Sequence, residues 1–510
     1  MLPFLTPFLR RSFVALVCFA WFDSSLLGEE LPNVIIINID DMGYADIGPF
    51  GSTLNRTPHL DRMAAEGMKL KCHYAAPVCS PSRSSLMTGC YPKRVLPISH
   101  VLFPAGEVGL HPEEVTIADL LKTKGYATAC IGKWHLGDQP EFLPTRQGFD
   151  FYYGIPYSND MGTAAEGSKS DLGAPLPKPA NGDNGAKAGK AVASAPDELG
   201  LRGNAQPPLP LLRNQTVIER VNAEGQQTLT ARYTEEAVRF IQTHREKPFF
   251  LYLPHTAIHF PLYPGKAFYK QSKNGLVGDW IEEVDWSVGQ VLETVRSAKL
   301  EGKTLVFFTS DNGGTSRSVN TPLRGNKGST WEGGMRVPTI AWWPGKIPSG
   351  SVTEEITSMM DLLPTIARLA QAELPSRKLD GGDLWPILAG QPKAVSPHRV
   401  FYYYRGLKLE AVREGSMKLH LAAPTSDGKS GKGPAAKASL QLYDLSKDIG
   451  ESRDLAASQP DTVHRLMELA RKMEGDLGMD GIGPGCRPLG KVQDPRPLID
   501  SDGNIRSEFR

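Results

Sequence analysis

The stretch Asn33-Val34-Ile35-Ile36-Ile37-Asn38-Ile39, followed at once by Asp40-Asp41, decides how this 510-residue chain is read. A short apolar run rich in β-branched residues has the character of a strand buried on both faces, as in a parallel sheet. Three further runs behave alike. Residues 126–131 lead into Gly132-Lys133-Trp134-His135, residues 249–253 run on to His255 and His259, and residues 304–309 precede Asp311-Asn312-Gly313. Between them, residues 116–124 have helical spacing and stop at Gly125, while Trp280, Ile281, Val284, Val288, Val291 and Val295 line one helix face. Strands alternating with helices predict an α/β fold with a mostly parallel central sheet flanked by helices. Open sheets of this kind bind ligands at the carboxyl ends of their strands. Here four strands end in reactive residue types: two Asp, Lys with His, His, and Asp with Asn. Four such ends together predict a single site.

Composition narrows the function classes. Lys+Arg number 57 and Asp+Glu 56, a net charge of +1, so bulk charge gives no reason to expect nucleic acid or an anionic membrane as partner. Hydrophobic residues at 40% and charged residues at 22% exclude a disordered or fibrous chain, and 51 Gly with 41 Pro predict long, turn-rich loops. Arg10 and Arg11 precede an apolar run over 12–22, and polar residues resume at Asp23. That pattern predicts an export signal over 1–28. The run is shorter than the roughly 20 residues that cross a bilayer, and no later run is long enough, so no stable membrane insertion is expected. The mature chain is then expected to be periplasmic or secreted in a bacterium, lysosomal or secreted in a eukaryote. The sequons Asn55-Arg56-Thr57 and Asn214-Gln215-Thr216 matter only in the second case. Setting aside Cys18 in the signal, Cys72, Cys79, Cys90, Cys130 and Cys486 are an odd number without a Cys-x-x-Cys pair. This argues against a zinc site and against a fully paired disulfide framework.

Two stretches, 164–210 and 426–437, are rich in Ala, Gly, Lys and Pro and read as surface insertions. From about Arg399 the texture changes. Residues 400–404, 410–413, 418–421 and 440–445 predict short antiparallel strands, and residues 461–474 a helix. The expected organisation is a signal peptide over 1–28, a catalytic domain over 29–395 carrying the 164–210 insertion, and a smaller α+β C-terminal subdomain over 396–510.

Cys79-Ser80-Pro81-Ser82-Arg83, continuing through Ser84-Ser85-Leu86-Met87-Thr88-Gly89, closely resembles the signature of type I sulfatases. In that family the Cys of Cys-x-Pro-x-Arg is oxidised after synthesis to formylglycine. The resemblance covers most of residues 33–455. The stretches GIPYSNDMG from Gly154, LYLPHTAIHFPLYP from Leu251 and PLRGNKGSTWEGGMRVP from Pro322 look most like the arylsulfatase A and N-acetylgalactosamine-6-sulfatase branch. The resemblance implies an alkaline-phosphatase-like core, a bound Ca²⁺ (or Mg²⁺), hydrolysis of sulfate monoesters, and a formylglycine-generating enzyme as maturation partner. Three features depart from the branch: the 164–210 insertion, Cys90 where a basic residue is usual, and the tail after about Gly478.

Residue by residue, Asp40, Asp41, Asp311 and Asn312 match the family's metal ligands, with the modified Cys79 completing the set. Hard divalent cations favour such oxygen donors, and an all-protein cage suits calcium better than magnesium. Lys133, His135 and Lys327 match sulfate-contacting positions, where fixed cations clamp the anion. Arg83 matches the residue that stabilises the hydrated aldehyde, and Ser158 a substrate-contacting Ser. A hydrated aldehyde carries two hydroxyls: one attacks sulfur in line and expels the alcohol, and loss of the proton from the second releases sulfate. His259 is expected to protonate the leaving oxygen and His135 to take the second hydroxyl's proton. His255, four residues away, competes for the acid role, and the His-Phe-Pro context favours His259. The substrate expected is a sulfated carbohydrate or an aryl sulfate. Trp134, Tyr157, Phe260 and Trp331 are aromatic candidates for stacking on a sugar, with core packing as their alternative role. Two rival readings remain: a phosphonate or phosphate ester hydrolase of the same superfamily, and a catalytically silent sulfated-glycan binder.

Overall fold

The computed structural model describes residues 1, 31–177, 198–422 and 440–510. The expected signal peptide over 1–28, apart from Met1, and the 426–437 stretch lie outside the described residues. The run 33–39 forms a strand in the middle of a ten-stranded sheet, buried at every position. In chain order the strands are β1 (Asn33–Ile39), β2 (Met68–Leu70), β3 (Ala127–Ile131), β4 (Phe151–Gly154), β5 (Pro210–Arg213), β6 (Thr216–Arg220), β7 (Phe249–Pro254), β8 (Thr304–Ser310), β9 (Ile340–Trp342) and β10 (Ser351–Thr353). Across the sheet they run β10-β2-β9-β8-β1-β7-β3-β4-β5-β6. The five central strands, β8 to β4, are parallel, with Val34 opposite both Leu305 and Phe250. Antiparallel pairing appears toward the edges, where β9 joins β8 and β5 joins β4.

Alternation along β1 explains its apolar content. Val34 and Ile36 enter one core with the helices Cys79–Thr88, Ile117–Lys122 and Leu362–Leu369. Ile35, Ile37 and Ile39 enter the other with Pro58–Glu66, Leu229–Thr243 and Gly275–Ser297. A strand covered on both faces has no solvent side on which to place polar residues. The helix expected over 116–124 is shorter, Ile117–Lys122, and begins with a capping box between Thr116 and Asp119.

The C-terminal sheet consists of β11 (Val400–Arg405), β12 (Lys408–Glu414), β13 (Met417–His420) and β14 (Gln441–Asp444), antiparallel in that order. The helix expected over 461–474 spans Pro460–Arg471 and tightens into a 3-10 turn at Lys472–Gly475. A buried charge joins this sheet to the larger layer. Lys418 Nζ lies 2.9 Å from Glu332 Oε1 and 3.0 Å from Glu451 Oε1, and donates to the Thr330 carbonyl at 2.8 Å. The tail returns to the larger layer: Gly490–Lys491 pairs with Val108–Gly109, and Leu498, Ile499 and Phe509 enter its core. The flanks of the 164–210 stretch also pack. Ser168, Leu199 and Leu209 are buried, and Asp171 pairs with Arg317 at 2.7 Å. The described flanks therefore depart from a free surface insertion, while 178–197 lie outside the described residues.

Candidate active site

The site forms where β8, β1, β7 and β3 end side by side. Asp40 and Asp41 follow β1, Asp311 and Asn312 follow β8, His255 and His259 follow β7, and Lys133 and His135 follow β3. Glycine permits one of the tight junctions, between β3 and β7. Gly132 has φ +131°, and a Cβ there would stand 1.9 Å from the Pro254 carbonyl oxygen. With that space free, the Lys133 amide bonds the same carbonyl at 2.8 Å, which fixes the ends of β3 and β7 together.

Cys79 is the first residue of the helix Cys79–Thr88, so Pro81 lies in the first turn, where its missing N–H leaves no helix bond unmade. The whole helix is buried. Cys79 donates from Sγ to Asp40 Oδ1 at 3.4 Å and accepts from Lys327 Nζ at 3.4 Å. Burial, then the charges of Asp311 and Asp40, push its thiol pKa up, so the unmodified side chain is a protonated thiol at neutral pH. One turn on, fully buried Arg83 donates to Asp311 Oδ2 at 2.8 and 3.0 Å, to Asp40 Oδ2 at 3.1 Å and to the Lys133 carbonyl. Burial disfavours the charge of Arg83, and Asp311 and Asp40 outweigh it.

Lys133 Nζ reaches Asp40 Oδ2 and donates to Ser158 Oγ at 3.1 Å. Burial raises the Asp40 pKa, but Lys133, His259, Arg83 and Lys327 hold it well below the usual carboxylate range. Lys327 Nζ lies 2.5 Å from Asp41 Oδ1, which also accepts from Asn312 Nδ2 at 2.8 Å. Against the effect of burial, the carboxylates raise the Lys327 pKa well above its ordinary value. Asn312 Oδ1 is buried with no hydrogen-bond partner.

The two histidines of the site differ in their wiring. His135 donates from Nε2 to the Leu102 carbonyl at 2.9 Å, and its buried Nδ1 has no partner. Burial, then Lys133 and Arg83, hold its pKa far below the ordinary value, so it is a neutral imidazole with an open lone pair. His259 Nδ1 donates to the Phe260 carbonyl at 2.6 Å and lies 3.1 Å from Ser158 Oγ, while Nε2 stands 3.7 Å from Asp41 Oδ2. His255 is elsewhere. It is fully buried, bonds Ser287 Oγ through Nε2 at 3.1 Å, and burial pushes its pKa down to about 3.

A cavity of about 600 Å³ opens onto Cys79, His135, Ser158, His259 and Lys327. Its wall adds His100, Phe103, Asp160, Thr315, Ser316 and Asn326. Asp160 and Asn326 lie within the family-like stretches from Gly154 and Pro322, but no role for any of the six could be read from the sequence, since none sits in a periodic pattern. Trp134, Tyr157 and Trp331 are buried, and Phe260 meets Arg317 with its ring, so none of the four aromatic candidates lines the cavity. Among the described residues all five cysteines are free thiols.

Carboxylates at paired strand ends, fixed cations and a buried cysteine at a helix start define a hydrolase centre for an anionic ester. The sulfatase family model matches residues 32–372, and that of the N-sulphoglucosamine sulphohydrolase C-terminal region matches residues 326–476. Steryl-sulfatase of Mus musculus is 38% identical over 491 residues, covering 83% of this chain and 78% of the relative. Arylsulfatase A of Homo sapiens is 37% identical over 466 residues, covering 86% and 87%. The crystal structure of Ps i-CgsB in complex with k-i-k-neocarrahexaose is similar with a TM-score of 0.68 at 29% identity, covering 87% of this chain and 92% of that one. The chain belongs to the sulfatase family and is a sulfuric ester hydrolase.

Proposed function

We propose that the chain hydrolyses sulfate monoesters of carbohydrates through a formylglycine made from Cys79, with one divalent cation held by Asp40, Asp41, Asp311 and Asn312 beside it. The observation that carries this reading is the position of Cys79: it starts a buried helix, touches Asp40 and Lys327, and faces the cavity. The donor set fits a hard cation. Asp40, Asp41 and Cys79 bring ligand atoms within 4.8 Å of one another, together with His259, and Asn312 Oδ1 has a buried lone pair without a donor. Calcium is favoured over magnesium because every ligand comes from the protein. Once bound, the cation supplies Lewis acidity at the ester oxygens, and the hydrated formylglycine supplies the attacking hydroxyl.

The chain's own residues have separable tasks. Arg83 bridges Asp40 and Asp311 and keeps both carboxylates aimed at one point. Lys133 and Lys327 approach from opposite partners, Asp40 and Asp41, and hold the negative oxygens of the sulfate. Ser158 orients Lys133 and His259 at once. His259 keeps Nδ1–H on the Phe260 carbonyl, so the mobile proton belongs to Nε2, where it can pass to the leaving alcohol. The open Nδ1 of neutral His135 is the acceptor assigned to the second hydroxyl's proton, and burial with Lys133 and Arg83 makes it release that proton again readily.

A carbohydrate substrate is supported by the oligosaccharide bound in the similar solved structure and by a cavity wall rich in hydrogen-bonding groups. Export through the segment 1–28 and oxidation by a formylglycine-generating enzyme complete the proposal. No helix among the described residues is long and apolar enough to cross a membrane. The test has two arms on protein made with the maturation enzyme. Mass spectrometry of the tryptic peptide ending at Arg83 should show an aldehyde at position 79, and Cys79→Ala should reduce turnover of p-nitrophenyl sulfate by at least 10³-fold while leaving the fold and calcium binding intact. An unmodified thiol, substantial activity in the variant, or preference for p-nitrophenyl phosphate or phenylphosphonate would each refute the reading.

A further inference from the structure

Asp160 stands apart from the other charges of the site. It is the one carboxylate among the described residues lining the cavity, whereas Asp40, Asp41 and Asp311 are buried against Arg83, Lys133 and Lys327. It follows Ser158 on the helical turn Asn159–Met161. Its Oδ1 is screened from solvent and has no hydrogen-bond partner. Lys169 donates to the Asp160 main-chain carbonyl and to Gln206 Oε1, which fixes the turn without satisfying that oxygen. That oxygen is turned into the protein and away from the cavity, with Lys169 as the nearby cation. What the cavity meets is the residue's place on the wall, where a negative charge favours a ligand group that brings a donor and disfavours one that brings a second anion.

We propose that Asp160 determines specificity. Its carboxylate accepts a hydrogen bond from a sugar hydroxyl next to the sulfate ester and disfavours a second sulfate at that position. The inference rests on the sulfatase reading of the same cavity and adds the substrate class: monosulfated units with a free neighbouring hydroxyl.

The experiment uses the full-length matured enzyme, hexose 2-, 3-, 4- and 6-monosulfates, and the corresponding vicinal disulfates. The wild type should favour its best monosulfate over the matching disulfate by tenfold or more in kcat/KM. Asp160→Asn should narrow that ratio at least fivefold, chiefly through KM, and Asp160→Ser should do the same, so that poor folding of one variant leaves the other to decide. Equal use of mono- and disulfates by the wild type overturns the assignment. So does an unchanged ratio in folded variants. Turnover of p-nitrophenyl sulfate with no hexose sulfate accepted also overturns it and leaves the sulfatase reading standing. No turnover of any sulfate ester would remove that reading and the inference with it.

Discussion

Replacing Arg83 by methionine tests whether the centre is held together by charge. The guanidinium is fully buried between Asp40 and Asp311 and also bonds the Lys133 carbonyl. Methionine keeps much of the length and apolar stem and removes the charge. Asp40 retains Lys133, but Asp311 loses the cation that contacts it directly. Asp311 is already disfavoured as a charge, since burial and then Asp40 raise its pKa. Removing one partner of a buried pair and stranding the other costs about 3–5 kcal/mol. With one carboxylate stranded, we expect a loss in that range. Arg83→Lys, which keeps the charge and loses the two-pronged geometry, should lose about 1–3 kcal/mol. The assay is urea unfolding followed by tryptophan fluorescence in EDTA at pH 7, on protein made without the maturation enzyme so that position 79 stays a thiol. A methionine variant within about 1 kcal/mol of the parent would refute the argument that Arg83 holds the carboxylates in place.

Two further outcomes follow from the same geometry. His259→Ala should lower kcat by about 10²–10⁴-fold, whereas His255→Asn, at a residue that does not line the cavity, should keep turnover within about threefold and lower stability by about 1–3 kcal/mol; the reverse pattern in steady-state kinetics would move the acid role to His255. Glu283 accepts the Gly265 amide at 2.7 Å, and burial raises its pKa from 4.5 to about 8. An acid whose folded pKa is raised stabilises the fold less as pH climbs from the unfolded value through the folded one, here between 4.5 and about 8. Glu283→Gln should therefore match the parent near pH 4.5 and exceed it by about 2–5 kcal/mol at pH 8, and parallel unfolding profiles across that window would contradict it.

The parts of the fold that could be read directly were those with a one-dimensional signature. β1, β3, β7 and β8 are buried on both faces, so burial alone dictates their unbroken apolar runs, and a reactive residue after each run marks the site's edge. The strands β2, β9 and β10 on one flank of the sheet are three residues long and carry no such run. The hairpin β5–β6 begins at the end of the 164–210 stretch, where composition masks its pattern. The Lys133–Ser158–His259 contact joins the ends of three strands, and only the sheet order β7-β3-β4 brings them together. Asp160 on its short helical turn, and His100 and Asn326 in loops, come together through tertiary folding, without a periodic spacing to betray them.

The order in which the pocket is assembled has a consequence in time. Cys79 is 2% exposed in the finished fold, and Lys327, which touches its sulfur, lies 248 residues further along the chain. At synthesis rates of about 5–20 residues per second, the cysteine is made about 10–50 s before the wall that will enclose it. β1, which carries Asp40 and Asp41, waits as long for its neighbours β7 and β8. On the proposed oxidation of Cys79, the enzyme that acts on its sulfur would therefore have its opening while the chain is still emerging, and a slow or absent catalyst at that moment would leave a thiol that folding then seals in.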